Sequence, residues 1–247
     1  MKPQVNNDYY NHLGRDWYDA DDDPIAVLRA ESFAKNPWVD RAINAHFGRN
    51  DLSIADVGCG AGFLSNYLAQ RYTRVHGLDA SKSSLDMAKM KDTASRVDYV
   101  LGDAYKLPYE DKSMDVVCAM DFLEHVEHPE KVIQECSRIL KPGGMFFYHT
   151  FNRNFLSWLI VIKFMEWFMP NTPKNLHVLH LFIKPKELRK MMALHNLENR
   201  MATGISPWFN FSFFASIFAR KLLSGFKFKI GGPTTLGYIG YAVKSGK

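Results

Sequence analysis

Residues Ile54-Ala-Asp-Val-Gly-Cys-Gly-Ala-Gly62 join a short apolar run to three glycines spaced two apart. Such a strand-to-loop junction lets a ligand approach the backbone closely, and the helix expected beyond it offers free N–H groups. Asp79 closes the next apolar run, Val75-His-Gly-Leu-Asp79. A carboxylate at that place accepts the two hydroxyls of a ribose. The spacing Gly58-x-Gly60-x-Gly62 departs from the dinucleotide fingerprint G-x-G-x-x-G, and the loop holds neither Lys nor Arg. Asp56, just before the turn, repels a diphosphate and attracts a cation. A nucleoside ligand with positive charge, S-adenosylmethionine, therefore fits the local charge better than NAD. The plain alternative is a tight strand–helix turn with no ligand.

Further along, Val97-Asp-Tyr-Val-Leu-Gly-Asp103 reads as a third strand whose terminal Asp103 can accept from an adenine amino group. Met114-Asp-Val-Val-Cys-Ala-Met120 reads as a fourth, and Met145-Phe-Phe-Tyr-His-Thr150 as a fifth. Pro129 to Leu140 has the pattern of an amphipathic helix, stopped by Lys141-Pro-Gly-Gly144. Strands alternating with helices predict an α/β fold, a parallel sheet with helices on both faces. Ligands of such sheets sit beyond the carboxyl ends of the strands, where Asp56, Asp79, Asp103 and Asp121 all fall.

A chain of 247 residues that is 47% apolar suits one α/β domain. Its divisions are a helical cap (1–48), a cofactor-binding core (49–150) and two apolar or basic insertions (151–183 and 205–230). Cys59, Cys118 and Cys136 have no spacing that suggests zinc or a disulfide framework, so a reducing compartment is expected. The N-terminus is polar and acidic, without a signal-peptide pattern. The net charge of +5 conceals an asymmetry: residues 1–150 hold 17 Lys+Arg against 23 Asp+Glu, and residues 151–247 hold 14 against 3. An anionic partner surface is expected for the second part.

The apolar content beside those charges points to a membrane rather than nucleic acid. Residues 155–169 are almost wholly apolar apart from Lys163 and Glu166, which share one helix face. A helix of that length reaches about 22 Å, short of the roughly 30 Å hydrocarbon core, so it is expected to lie in the interface with Trp158 and Trp167 at headgroup depth. Residues 207–229 mix aromatics with Arg220, Lys221, Lys227 and Lys229 and read as a second interfacial element or a lid. The alternative for both segments is buried core or a dimer interface.

Asp56-Val-Gly-Cys-Gly-Ala-Gly62, Gly77-Leu-Asp79, Gly102-Asp103 and Leu140-Lys-Pro-Gly-Gly144 together resemble the motif series of class I S-adenosylmethionine-dependent methyltransferases. Tyr9 to Tyr18, Phe122-Leu-Glu-His-Val126, Phe151 to Trp158 and His180 to Leu188 resemble the ubiquinone-biosynthesis O-methyltransferases, a likeness that runs from about residue 8 to residue 204. The resemblance implies a Rossmann-like, mainly parallel seven-stranded sheet and a polyprenylated phenol or catechol as acceptor. It further implies a place at the inner face of the cytoplasmic membrane and other quinone-route enzymes as partners. It puts Met120 against the adenine and Lys35 near the cofactor carboxylate, where the family carries Arg.

A phenol becomes a good nucleophile when a base or a metal removes its proton. Asp121, Glu124 and His125 share one face of a helical turn just past the fourth strand. They are the candidate catalytic residues, and two carboxylates with an imidazole are also a candidate site for Mg²⁺. The family carries Glu-x-x-Glu-His here and uses a divalent cation; Asp121 is one methylene shorter. The competing reading has Glu124 and His125 orient the loop or act as base with no metal. His149 reads as a structural histidine rather than a base, and His128 as a solvated one. Rival functions are methylation of another lipid or small phenol, a lipid-binding protein that has lost its chemistry, and an NAD-dependent oxidoreductase.

Overall fold

The computed structural model describes residues 3–246. Its strands are β1 (Ser53–Val57), β2 (Arg74–Asp79), β3 (Val97–Leu101), β4 (Met114–Met120), β5 (Leu140–Phe151), β6 (Leu197–Pro207), β7 (Phe228–Ile230) and β8 (Gly237–Lys244). They form one sheet in the order β3-β2-β1-β4-β5-β8-β6-β7. The first five run parallel, and β8 runs antiparallel to both β5 and β6. The expected seven strands are thus eight. The addition is β7, three residues of the second insertion that pair with Ile205–Pro207 at the sheet edge. The alternation Phe228-Lys229-Ile230 suits a short edge strand whose lysine discourages further pairing.

The helices are α1 (Tyr9–His12), α2 (Asp16–Asp19), α3 (Pro24–Phe47), α4 (Phe63–Leu68), α5 (Lys82–Lys91), α6 (Pro129–Ile139), α7 (Phe155–Ser157), α8 (Met165–Phe168), α9 (Pro185–Leu194) and α10 (Phe211–Ala219). Two cores follow from the period-two alternation of the central strands. Val116 and Cys118 pack with Val39 and Ile43 of α3 and Leu64 and Leu68 of α4. Val117 and Ala119 pack with Val132 and Ile133 of α6 and Leu188 and Met192 of α9. Burying both faces of β4 explains why its sequence is a nearly continuous apolar run.

Three boundaries differ from expectation. β3 ends at Leu101, two residues before Asp103. β5 starts at Leu140, not Met145, because Leu140 already pairs with Met114 and a register shift before Val116 absorbs the intervening turn residues. Residues 155–168 are one helical run whose middle, Trp158–Phe164, is a π-helix joining α7 to α8. Lys163 and Glu166 form the expected pair there, at 2.6 Å. Trp167 is exposed and Trp158 half-buried. Among the described residues no helix is long and apolar enough to cross a membrane.

Candidate active site

The strand order reverses between β1 and β4, and a cavity of about 470 Å³ opens beyond their carboxyl ends. Gly58, Gly60 and Gly62 line its floor or back it, each with φ between +52° and +79°. The glycines are also spatially required. A Cβ on Gly58 would lie 2.2 Å from the Phe122 ring, and one on Gly60 would lie 2.8 Å from the Trp17 indole. The loop amides are not bare, which corrects the expectation. Gly58 and Cys59 both donate to the Leu78 carbonyl, at 2.8 and 3.0 Å. Gly60 donates to Asp79 Oδ2 at 2.8 Å, and Gly62 donates to the Cys59 carbonyl. The loop spends its donors on tying β1 to the end of β2, so a ligand meets carboxylates rather than a nest of N–H groups.

Those carboxylates surround the cavity. Asp56 is buried, accepts from Ser65 Oγ at 2.6 Å, and is pushed up to about 7 by burial, with Asp79 adding to the shift. Asp79 accepts from Gly60 and from Ser81 N, one bond on each oxygen, which leaves lone pairs for two further donors. Burial raises its pKa as well. Asp103, exposed at the mouth, accepts from Tyr105 N at 2.9 Å with Oδ1. Met120 lines the wall at the end of β4. Lys35 is the one lysine or arginine among the lining residues. Such a cradle suits a cation and repels a diphosphate.

Asp121 and Lys35 pair in the wall of the same cavity. Asp121 has φ +54°, an unusual conformation for a non-glycine residue, and accepts from His149 Nδ1 and from Lys35 Nζ on separate oxygens. Lys35 also donates to Glu31 Oε2 at 3.0 Å. Burial works against the charges, but the cation–anion contacts outweigh it. Asp121 is held well below the usual carboxylate range and Lys35 above the usual amine. His149 is completely buried.

The three residues expected to converge on Mg²⁺ are therefore split. Asp121 is turned into the Lys35–His149 knot. Glu124 and His125 instead lie with His177, their ligand atoms all within 4.8 Å of one another. Both Glu124 carboxylate oxygens are buried without a hydrogen-bond partner. One carboxylate and two imidazoles suit a borderline transition ion; Mg²⁺ prefers oxygen ligands and does not fit this set. Burial, then the charge of Asp121, pushes Glu124 up to about 7. Burial pushes His125 down to about 4, and desolvation with the neighbouring His125 pushes His177 down to about 3. At neutral pH the cluster holds neutral imidazoles beside a carboxyl group poised to lose or take a proton.

Beside this cluster lies a second cavity of about 400 Å³, walled by Ile160, Phe164 and Phe168 from the first insertion and Phe213, Phe226 and Phe228 from the second. The two cavities share Tyr10, Leu28, Asp121 and His125. The second insertion is fastened over the apolar cavity by the Leu222 amide on the Asp21 carbonyl and by Lys221 on Asp21 at 3.3 Å. Sequence reading missed Asn7, Tyr10, Trp17, Glu31 and His177. The i, i+4 spacing of Glu31 and Lys35 was a readable signal; the others arrive through the tertiary wrapping of the N-terminal segment and the 170–183 loop.

An acidic crevice at the sheet's switch point, closed by a Gly-x-Gly-x-Gly turn, defines a class I S-adenosylmethionine-dependent methyltransferase. The family model "Methyltransferase domain" matches residues 55–148. The solved magnesium protoporphyrin IX methyltransferase of Synechocystis PCC 6803 with bound SAH shares the fold, with a TM-score of 0.63 at 19% identity, covering 96% of this chain and 97% of that one. A ubiquinone biosynthesis O-methyltransferase of Dechloromonas aromatica is 35% identical over 82% of this chain and 87% of its own length. Another from Aliivibrio fischeri is 33% identical over 79% and 83%. The chain belongs to the ubiquinone biosynthesis O-methyltransferase family.

Proposed function

We propose that this enzyme methylates a ring hydroxyl of a prenylated phenolic intermediate of quinone biosynthesis. The observation that carries the reading is the meeting of the acidic cavity and the apolar cavity at Tyr10, Asp121 and His125. S-adenosylmethionine supplies an electrophilic methyl group on a sulfonium when bound. Asp79 accepts the ribose hydroxyls, Asp103 the adenine amino group, and Met120 packs on the adenine face. Lys35 holds the carboxylate of the methionine moiety with its remaining N–H. Asp56 and Asp121 keep the crevice negative against the sulfonium. The glycines at 58, 60 and 62 keep the floor clear of side chains.

On the acceptor side, the apolar cavity takes the hydrocarbon and leaves the ring at the junction. The hydroxyl proton passes to the Glu124–His125 pair. A carboxyl shifted to near neutrality is matched to that task. Asp121, locked by Lys35 and His149, is an electrostatic and positioning group in this scheme. Predicted as a metal ligand, it is turned away from the Glu124 cluster, and no step is routed through Mg²⁺.

We further propose that the enzyme collects its acceptor at an anionic membrane surface. Exposed Phe155, Trp167, Trp208, Phe211 and Phe218 lie on the two insertions, beside Arg220, Lys227 and Lys229. The test of the acceptor is turnover on a short-prenyl catechol, with and without chelator, together with mass spectrometry of quinone intermediates in cells lacking the protein. Accumulation of a demethyl intermediate is expected, and chelator is expected to leave turnover intact. No turnover on prenylated rings, with turnover on an unrelated lipid, overturns the acceptor; loss that a divalent cation restores overturns the metal-free proton route.

A further inference from the structure

Residues 208–227 follow the stretch, ending near residue 204, that resembles the ubiquinone-biosynthesis enzymes, and their fold is held from within. Asn210 caps α10 by accepting from Phe213 N at 2.9 Å, and its Nδ2 donates to the Gly225 carbonyl at 3.1 Å. Ser212 Oγ donates to the Ser224 carbonyl at 3.1 Å, and Ser216 Oγ accepts from Leu223 N at 3.0 Å. Arg220, left-handed at φ +53°, ends the helix and lets the chain turn back along it. The Phe213 ring packs against Phe209 and Phe226, with centroids 4.9 and 5.7 Å apart. At the neck, Trp208 N donates to the Lys227 carbonyl at 2.8 Å, one pair beyond the β6–β7 ladder. The two ends of the segment are therefore bonded to each other. Among the described residues, beyond this neck the segment is tied to the rest of the molecule by Lys221 and the Leu222 amide on Asp21 and by Arg220 on the Trp167 carbonyl.

Helical spacing gives α10 two apolar faces. Phe213, Ser216 and Ile217 line the apolar cavity, joined there by Phe209, Leu222 and Phe226. Phe211, Phe214 and Phe218 are exposed on another face. None of residues 208–227 lines the cofactor cavity. We propose that residues 208–227 are a self-contained selectivity module, which sets the preference for an acceptor with a hydrocarbon tail and takes no part in holding the methyl donor. This rests on the reading of the apolar cavity as the seat of the acceptor's hydrocarbon. That cavity runs into the donor crevice at Tyr10, Leu28, Asp121 and His125, so a tail lying in it belongs to the molecule whose reactive group reaches the junction. Tail binding scales with the apolar area removed from water. Taking away the module removes one wall from the tail and leaves the contacts of the ring and of the donor in place.

Two variants test the module. In the first, Asn-Gly replaces residues 209–226, because a hydrogen-bonded pair such as Trp208–Lys227 is what a two-residue turn closes. In the second, Ile217→Trp narrows the cavity with the module in place. Each is compared with the wild type, without vesicles, by calorimetry with S-adenosylhomocysteine and with farnesol, and by turnover of catechol and farnesyl catechol. The excised enzyme is expected to lose about 30-fold or more in farnesol affinity and in kcat/KM for farnesyl catechol, while S-adenosylhomocysteine affinity and kcat/KM for catechol stay within about threefold. Ile217→Trp is expected to weaken farnesol about tenfold and to leave S-adenosylhomocysteine unchanged. Loss of S-adenosylhomocysteine binding on excision overturns the separation of the module from the donor site. Undiminished farnesol affinity in either variant overturns its part in tail selection. Farnesol binding is read without methyl transfer, so failure of the prenylated-phenol reading shows separately, as a wild type that binds farnesol and turns over neither ring.

Discussion

At the scale of single residues, the site holds charged groups at its walls, of which Glu31, Lys35, Asp56 and Glu124 are buried. Asp56 and Glu124 are both raised to about 7 by burial. A buried acid with a raised pKa favours the folded state at low pH, and that advantage is lost as pH rises through the folded value. Glu124→Gln removes the loss. It should stabilise the protein by about 3 kcal/mol at pH 8 and by little at pH 5, while lowering kcat by about 100-fold or more. Thermal unfolding at the two pH values checks the first part and initial rates the second. Asp56 gives a binding signature. A cationic donor selects the ionised carboxylate, so its affinity should rise about tenfold between pH 5.5 and 7, and Asp56→Asn should flatten the slope. Titration calorimetry across that range reads both.

At the scale of elements, the parallel strands and the acids at their ends were legible because each strand is a short apolar run closed by Gly or Asp. Asp79 and Met120 lie on the cavity wall for that reason. Asp121 was not legible. Its spacing to Glu124 and His125 suggested one helical face, but the left-handed backbone at 121 swings its carboxylate to Lys35, some 86 residues earlier in the chain. Nor could spacing reveal β7, since Phe228–Ile230 becomes a strand only where β6 offers a free edge. The aromatic cluster of Phe209, Phe213, Phe214, Phe226 and Phe228 holds that insertion together. Phe213→Ala is expected to raise KM for a long-chain acceptor about tenfold or more and to leave KM for a ring without a tail nearly unchanged, since it removes apolar contact worth about 1–3 kcal/mol from the far wall of the cavity. A tail-length series on the variant decides it.

For the whole molecule, the charge divides along the chain: the half that builds the cofactor crevice is acidic, and the half that carries the exposed aromatics is basic. If that basic part meets anionic lipid as proposed, the attraction is screened over about 8 Å at physiological salt. Co-sedimentation with phosphatidylglycerol vesicles should therefore fall steeply between about 50 and 500 mM salt, and neutral phosphatidylcholine vesicles should retain little enzyme. Equal binding to both vesicle types would leave the aromatics, without the charges, as the attachment.

Trp17 stands over Gly60, buried, with its indole N–H unpartnered, and no other tryptophan lines the cofactor crevice. Its emission is thus an optical gauge of occupancy. Excitation near the red edge of tryptophan absorption should show an intensity change on adding the donor, and Trp17→Phe should silence it. Loading of the enzyme could then be followed in real time without a radioactive methyl group.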